Sequence, residues 1–414
     1  MATNYLIIGS GPAGITAAEN IRTLDNGGKI TVISEERVPM FYRPMIPEYA
    51  VGKLEIEDLM VKKMDFYDQK RIKLHLRVKA IRLDRERKFI ETSDGQKYGY
   101  DKLLIATGID PVKPPYQGRE LKGIFTMHYL FQADQVKSFI KETKHVVVVG
   151  GGLLGMDMAE ELSKMGLEVD FLVRRQVFGD PFFDEYGCKL IKEEFDHLGV
   201  RVFTGTEVQT FEGVDGKLAK IMTKDGREIK SSFCFLSVGG SPAVDWLGES
   251  GLKIDKGILV DKHLQSAREG IFSAGNSAQI FDPILRKQIV QTNWFNAITQ
   301  GHIAGNNIVG GKLIEYKSTT KYLKKVGTLS FNLIGLGNVL VEGGLRVYFK
   351  GDNPREYILV TVKEGVVVGA VVCGLPMIIL RLKEVIERQA VIPDLEKLLA
   401  QKENSLNAFL KILA

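Results

Sequence analysis

The sequence predicts an α/β protein built from two doubly wound parallel-sheet units, the first of them discontinuous, followed by a C-terminal α+β domain. Three observations predict it. An apolar strand runs into a glycine turn and then a helical pattern twice, at residues 5–24 and again at 145–165. Short buried strands ending in small residues follow each repeat. Beyond residue 314 the pattern changes to alternating, glycine-broken strands and two amphipathic helices. A chain of 414 residues is also too long for one hydrophobic core.

The opening unit sets the scheme. Tyr5, Leu6, Ile7 and Ile8 read as a buried strand, Gly9-Ser10-Gly11-Pro12-Ala13-Gly14 as a tight turn, and residues 15–24 as a helix. Strand, G-x-G-x-x-G and helix in that order form the Rossmann-like arrangement that receives a dinucleotide pyrophosphate. Gly9 permits the turn, Gly11 lets the backbone approach the phosphates, and Gly14 lets helix and strand pack closely. The helix N-terminus offers unpaired N–H groups and a partial positive charge to the anion. Residues 29–33 form the second strand, and Ser34-Glu35-Glu36 then places a carboxylate for a ribose, roughly 20 residues on.

Pro39, Pro44 and Pro47 next predict an ordered loop through Tyr49 rather than a continuous helix. Arg43 within it is either a partner for a phosphate or carboxylate, or an exposed arginine. Asp94-Gly95 predicts a hairpin between residues 88–92 and 97–100. The strand after it ends in Ala106-Thr107-Gly108, whose small side chains allow a ligand to come close.

The opening pattern then repeats. His145 to Val149 is a run of valines fit for a buried parallel strand, followed by Gly150-Gly151-Gly152-Leu153-Leu154-Gly155 and a helix through Met165. Gly166 caps that helix, and residues 168–173 form the next strand. Two complete phosphate turns are far more specific than one. Arg174 and Arg175 stand where an NAD-preferring site would carry its carboxylate. A guanidinium there can pair with a 2′-phosphate, which suits NADPH; solvated arginines would leave the site open to either nucleotide.

Residues 200–211 and 218–223, with the Asp225-Gly226 turn, read as a strand excursion. Residues 233–238 are another buried strand, with Gly239-Gly240 at its exit. Ile271-Phe272-Ser273-Ala274-Gly275-Asn276 is the last of the series, and its position returns the chain to the first unit. A helix from about Gln291 carries Trp294 and Gln300-Gly301 into Ile308. The domains are therefore 1–113 with 241–313, then 114–240 between them, then 314–414. In the last, residues 339–349, 357–363 and 366–372 predict a meander with a Glu364-Gly365 hairpin, and 377–390 and 393–413 two helices. Such a unit serves as a lid, a dimer surface, a partner dock or simply as its own core.

Bulk composition narrows the function classes. The formal net charge of +5 is mild for this length, and no arginine-rich or aromatic-interleaved basic stripe occurs, which excludes a nucleic-acid footprint. The basic excess fits either an acidic protein partner or plain solvation. Three cysteines, Cys188, Cys234 and Cys373, lie too far apart for a C-x-x-C pair, an iron–sulfur run or a zinc site. Inert thiols in a reducing compartment are expected. The first strand starts a few residues after Met1, leaving no room for a signal peptide, and the longest uncharged run, 365–380, is broken by Gly369, Gly374 and Pro376. A cytoplasmic protein without a membrane span is expected.

The paired glycine turns, Ala106-Thr107-Gly108 and Ala274-Gly275-Asn276 together resemble the two-dinucleotide-binding-domain flavoproteins. Within them, Tyr42-Arg43-Pro44 and Glu48-Tyr49 are similar to NAD(P)H:rubredoxin reductases, the flavin portion of nitrite reductases and ferredoxin-type reductases. The likeness covers residues 4–375. It implies FAD in the first domain and NAD(P)H in the second. It assigns Gly9, Gly11, Pro12, Ala13 and Gly14 to the FAD pyrophosphate, Glu35 to the adenosine ribose, Val78 to the adenine, and Asn276 to the ribityl chain. Arg43, Ala106, Thr107, Gly108, His128 and Gly275 complete the FAD site by the same likeness. Gly150, Gly152, Leu153, Leu154, Gly155, Arg174, Arg175 and Gly239 form the NAD(P)H site. Trp294, beside the isoalloxazine, and Asp157, near the nicotinamide, stand closest to the chemistry; Asp157 is otherwise a partly buried helix charge. Three departures imply a flavin held with fewer charges: Asn276 for an aspartate, Pro47 for a lysine, His128 for an arginine.

No redox cysteine pair stands in the first helix, and the loop after Glu36 carries Met40 and Met45 where a thiol relay would need cysteine. Hydride transfer from NAD(P)H to flavin and onward single-electron transfer to a separate iron–sulfur or rubredoxin-like carrier protein is the expected activity. An NAD(P)H oxidase using oxygen and a non-catalytic nucleotide-sensing flavoprotein are the rivals. The C-terminal region is the expected surface for any oligomer.

Overall fold

Two five-stranded parallel sheets carry the two glycine turns in the computed structural model, which describes residues 2–177, 179, 182–283, 285–317, 321–335, 341–351, 353–389, 391 and 406–413. The chain divides into one unit of Met1–Pro111, His128–Ala133 and Gly240–Ser318 and a second of Val112–Met127, Asp134–Gly239 and Thr319–Ala414.

In the first unit the sheet order is Ile271–Ser273, Lys102–Ile105, Asn4–Ile8, Lys29–Ile33, Ile72–His75, all parallel. Leu6, Ile7, Val32, Ile33, Leu103, Leu104 and Ile105 are buried, as strands covered on both faces require. Strand order reverses between Asn4–Ile8 and Lys102–Ile105, and ligands of such sheets lie at the carboxyl ends beside that reversal. Helix Pro12–Leu24 buries Ile15, Ala17, Ala18 and Ile21. Helix Trp294–Val309 packs on it almost backbone to backbone, because a Cβ on Gly301 would sit 2.3 Å from the Ala13 carbonyl oxygen.

The second unit repeats the plan. Its parallel sheet runs Val200–Thr204, Glu168–Val173, His145–Val149, Cys234–Leu236, Ile124–Phe125. The same unit contains an antiparallel sheet in the order Lys321–Val326, Leu329–Gly335, Val366–Cys373, Tyr357–Lys363, Leu345–Lys350. Helix Ile379–Arg388 lays Ile379, Leu382 and Ile386 on the cluster this sheet forms, and Phe409 stacks on Phe349 at 4.5 Å.

Several local expectations need correction. The proline loop is a 3-10 turn at Arg43–Met45 running into a short helix at Ile46–Ala50. Pro44 and Pro47 each occupy an early helical position, where a missing N–H breaks no bond. Residues 200–211 are two strands: Gly205 bends the chain at φ +67°, so Val200–Thr204 joins the parallel sheet and Val208–Val214 opens a hairpin. Two strands precede the anticipated meander, and its first strand starts at Leu345, after a turn closed by Gly344 on Val341. Helix Trp294–Val309 starts at the Asn293 cap rather than at Gln291. Helix Ile379–Arg388 ends where Gln389 turns left-handed. Of the last expected helix, Leu406–Leu413 is seen and residues 392–405 lie outside the described residues.

Candidate functional site

The two glycine turns have the same geometry. A Cβ on Gly9 would lie 2.1 Å from the Ala106 carbonyl oxygen, and one on Gly150 would lie 2.0 Å from that of Ser237. Both glycines have positive φ, +111° and +114°. Gly14 and Gly155 each bring a helix onto the turn, since a Cβ there would meet the carbonyl oxygen of Gly9 or Gly150 at 2.0 Å. Gly11 and Gly152 are different: a Cβ on either meets nothing within 4 Å. Backbone packing explains the first and third glycines of each motif but not the middle one. An open cradle at a helix N-terminus, where a side chain would intrude on a bound anion, does explain it. Both turns therefore fit a dinucleotide pyrophosphate.

Around the first turn, Ser10 and Ser34 share a hydroxyl–hydroxyl bond of 2.6 Å, and the Gly9 N–H donates to the Ile33 carbonyl at 2.8 Å. Pro12 stands in the first turn of its helix, while Ala13 is a packing residue under Gly275 and Gly301. The two glutamates after the second strand divide. Glu35 is 37% exposed and pairs with Lys79 at 3.2 Å; Glu36 is 7% exposed and pairs with Arg43 at 2.9 Å. Arg43 also donates to the His128 carbonyl and lies 4.8 Å over the Phe41 ring. Its guanidinium thus ties the proline segment to Glu36 and to residue 128. The Val78 N–H, expected beside the adenine, donates to the Ser34 carbonyl at 2.9 Å.

At the sheet reversal, Thr107 donates its hydroxyl to the Ala243 carbonyl at 2.8 Å and Gly108 turns at φ +78°. Gly275 turns at φ +77°, and its N–H donates to Gln300 on the long helix at 2.7 Å. The half-buried Asn276 side chain beside it makes no hydrogen bond among the described residues. Trp294 opens the long helix, one residue after the Asn293 cap, and meets Tyr42 edge-on at 4.9 Å. His128 is pushed well below the ordinary histidine value, first by burial and then by the Arg43 charge, so it is neutral at pH 7. Tyr129, which the sequence did not single out, donates to Asp110 at 2.5 Å and fixes the segment that carries His128.

In the second unit a cavity of about 400 Å³ opens on Gly150, Gly151 and Gly152. Arg174, Arg175, Ser237, Val238 and Gly239 line it, with Tyr116 and Glu207 as members sequence reasoning missed. Tyr116 packs edge-on against Phe211 at 5.9 Å, and Glu207 pairs with Lys224 at 2.9 Å. Neither carries a motif; only folding brings them to the groove. Leu153, Leu154 and Gly155 begin helix Leu153–Lys164, and Asp157 pairs there with Lys324. Burial raises the Asp157 carboxyl above the usual range, Lys324 opposes this, and Glu160 and Glu161 add to it.

Cys188, Cys234 and Cys373 are buried and none forms a disulfide among the described residues; burial raises the thiols of Cys234 and Cys373, the latter to about 11. No helix among the described residues is long and apolar enough to cross a membrane, and no group of three metal-ligating side chains occurs among them.

Comparison with known proteins agrees with this geometry. The family model described as pyridine nucleotide-disulphide oxidoreductase matches residues 3–301. The epsilon subunit of NADH-dependent phenylglyoxylate dehydrogenase from Aromatoleum evansii is 30% identical over 352 residues, covering 85% of this chain and 83% of its own. NADH-rubredoxin oxidoreductase from Clostridium acetobutylicum is 26% identical over 394 residues, 93% of this chain and 95% of that one. Among solved structures, a putidaredoxin reductase in covalent complex with putidaredoxin superimposes with a TM-score of 0.88 at 21% identity, covering 97% of each chain. A ferredoxin reductase from Rhodopseudomonas palustris gives 0.89 at 19% identity, over 98% and 99% of the two chains.

Proposed function

The chain belongs to the pyridine nucleotide-disulphide oxidoreductase family and is an FAD-dependent NAD(P)H oxidoreductase, and from that premise we propose that its electrons go to a separate iron–sulfur or rubredoxin-type carrier protein. The observation that carries the reading is the duplicated cradle: Gly11 and Gly152 each leave open space at a helix N-terminus, one in each unit. The named activity of the rubredoxin oxidoreductase relative supports the choice of acceptor.

FAD, when bound, supplies hydride acceptance from NAD(P)H and stepwise release of single electrons. The chain's own groups orient the coenzymes. Gly9, Gly11 and Gly14 receive the FAD pyrophosphate, Glu35 the ribose, and Asn276 the ribityl chain. Ala106, Thr107, Gly108 and Gly275 keep the sheet reversal free of bulk. Tyr42 and Trp294 form an aromatic wall beside the flavin, which excludes water. Neutral His128 donates or accepts there without adding charge, while Arg43 holds the segment in place. In the second unit Gly150, Gly152 and Gly155 receive the NAD(P)H pyrophosphate. Arg174 and Arg175 face the adenosine end and favour a 2′-phosphate. The thiols take no part, being buried and separated in sequence. A reducing, cytoplasmic setting suits them.

Stopped-flow reoxidation tests the acceptor. Protein reduced anaerobically with NADPH or NADH is mixed with rubredoxin, with a small ferredoxin, or with air-saturated buffer. A carrier should reoxidise the flavin faster than oxygen does; the reverse order would make the protein an NAD(P)H oxidase.

A further inference from the structure

The antiparallel sheet sets a buried lysine against the first turn of the second phosphate helix. Lys324, in strand Lys321–Val326, has a side chain only 3% exposed. Its Nζ pairs with the Asp157 carboxylate and donates to the Leu153 carbonyl at 3.3 Å. Leu153 and Asp157 are four residues apart on helix Leu153–Lys164, so one ammonium clasps the turn that follows Gly152. The same hairpin grips its neighbours beyond this point. The Gly327 N–H donates to Glu160 at 3.0 Å, and the Thr328 N–H donates to Glu194 at 2.8 Å.

An ion pair between a buried lysine and a carboxylate 38% exposed is weak evidence for stability, because desolvation of the ammonium offsets most of its attraction. Its position is therefore better explained by what the charge does. The helix carries three carboxylates on this side, Asp157, Glu160 and Glu161. Lys164 takes the latter two, at 2.7 and 3.4 Å. Of these three, Asp157 is nearest the phosphate turn, five residues past Gly152, or about 7.5 Å along the helix axis. An uncancelled carboxylate there would oppose the anion that the helix N-terminus attracts, and a carboxyl neutralised by its burial would lose the bond that fixes the turn.

We propose that Lys324 is a positioning residue for the nicotinamide dinucleotide, cancelling the Asp157 charge and fixing the first turn of the helix that receives the pyrophosphate. The proposal rests on the reading of the second glycine turn as the NAD(P)H site.

Calorimetric titration of the FAD-loaded full chain with ADP-ribose and with its 2′-phosphate, which bind without redox chemistry, tests both separately. Wild-type protein that binds neither overturns the site reading and the proposal with it. Given wild-type binding, Lys324→Met should weaken it at least tenfold and raise the KM for NAD(P)H with little change in kcat. The double variant K324M/D157N should recover to within about threefold of wild type. Recovery is expected because removing both partners leaves no unpaired charge. Asp157→Asn alone should bind severalfold more tightly, and it decides the matter should Lys324→Met fail to fold. Unchanged binding by Lys324→Met, a double variant as weak as Lys324→Met, or weakened or unaltered binding by Asp157→Asn would each overturn the proposal.

Discussion

Within each phosphate turn, neighbouring glycines do different physical work, and single substitutions separate them. Gly14→Ala drives a methyl into the Gly9 carbonyl, 2.0 Å away, so it should destabilise the first unit by about 3 kcal/mol, read from denaturant unfolding. A Cβ on Gly11 meets nothing within 4 Å, so Gly11→Ala should shift the unfolding midpoint of flavin-free protein far less than Gly14→Ala yet sharply lower FAD retention on gel filtration. Gly152→Val should keep the flavin and raise the KM for NAD(P)H at least tenfold. The packing roles of the outer glycines were legible in the motif spacing alone. Spacing alone left Glu35 and Glu36 both open as the ribose carboxylate, and the family resemblance pointed to Glu35. The fold adds the physical reason: Glu36 is taken by Arg43, leaving Glu35 as the more open carboxylate. Tyr116, Glu207 and Lys324 were invisible in the sequence, because a tyrosine, a glutamate and a lysine outside any motif gain meaning only from what they face. For the two arginines, neutralising Arg174 and Arg175 together should raise the KM for NADPH far more than for NADH; an equal effect would make them plain surface charge.

Elements transmit these local arrangements. The close packing of helices Pro12–Leu24 and Trp294–Val309 depends on Gly301, so Gly301→Leu should push the helices apart, disturb the phosphate turn and lower FAD occupancy. Its readout is the flavin-to-protein ratio after purification. The second parallel sheet carries a pH-sensitive group at the start of its central strand. His145 has Nδ1 at 2.9 Å from the Lys230 carbonyl and Nε2 at 3.0 Å from Asp170, so both ring nitrogens face acceptors and favour the imidazolium. The bond to Asp170 raises its pKa, partly offset by burial and by Arg201. A raised folded value means the stabilisation is full below the unfolded value of about 6.5 and fades as pH rises through the folded one. The stability gap between wild type and His145→Asn should therefore be roughly 1–2 kcal/mol at pH 6 and shrink towards pH 9, measured by denaturant titration. Elements with strong apolar runs and glycine exits were legible from sequence. The strands Lys321–Val326 and Leu329–Gly335 were not, since lysines at 321, 324 and 325 mask a half-buried alternation. The short helix at Ile46–Ala50 was hidden by prolines that read as breakers but sit at helix starts.

Across the whole molecule, the repeat of strand, glycine turn and helix made the two-sheet architecture readable, because each copy is local in sequence and strongly patterned. The division of the chain was harder, since segments far apart return to one unit: His128–Ala133 joins the first, held by the bonds from Arg43 and from Tyr129 to Asp110. Such tertiary ties leave no periodic trace. Two coenzyme sites in one chain, with thiols buried at Cys188, Cys234 and Cys373, give the central claim: electrons pass from NAD(P)H to FAD without sulfur. Anaerobic titration of the FAD-loaded Cys188→Ala, Cys234→Ala, Cys373→Ala triple variant with NADPH and NADH tests it most directly. The flavin absorbance should bleach with at least one nucleotide, at the wild-type rate. A triple variant that holds its flavin but stays yellow with both, while wild type bleaches, would contradict it.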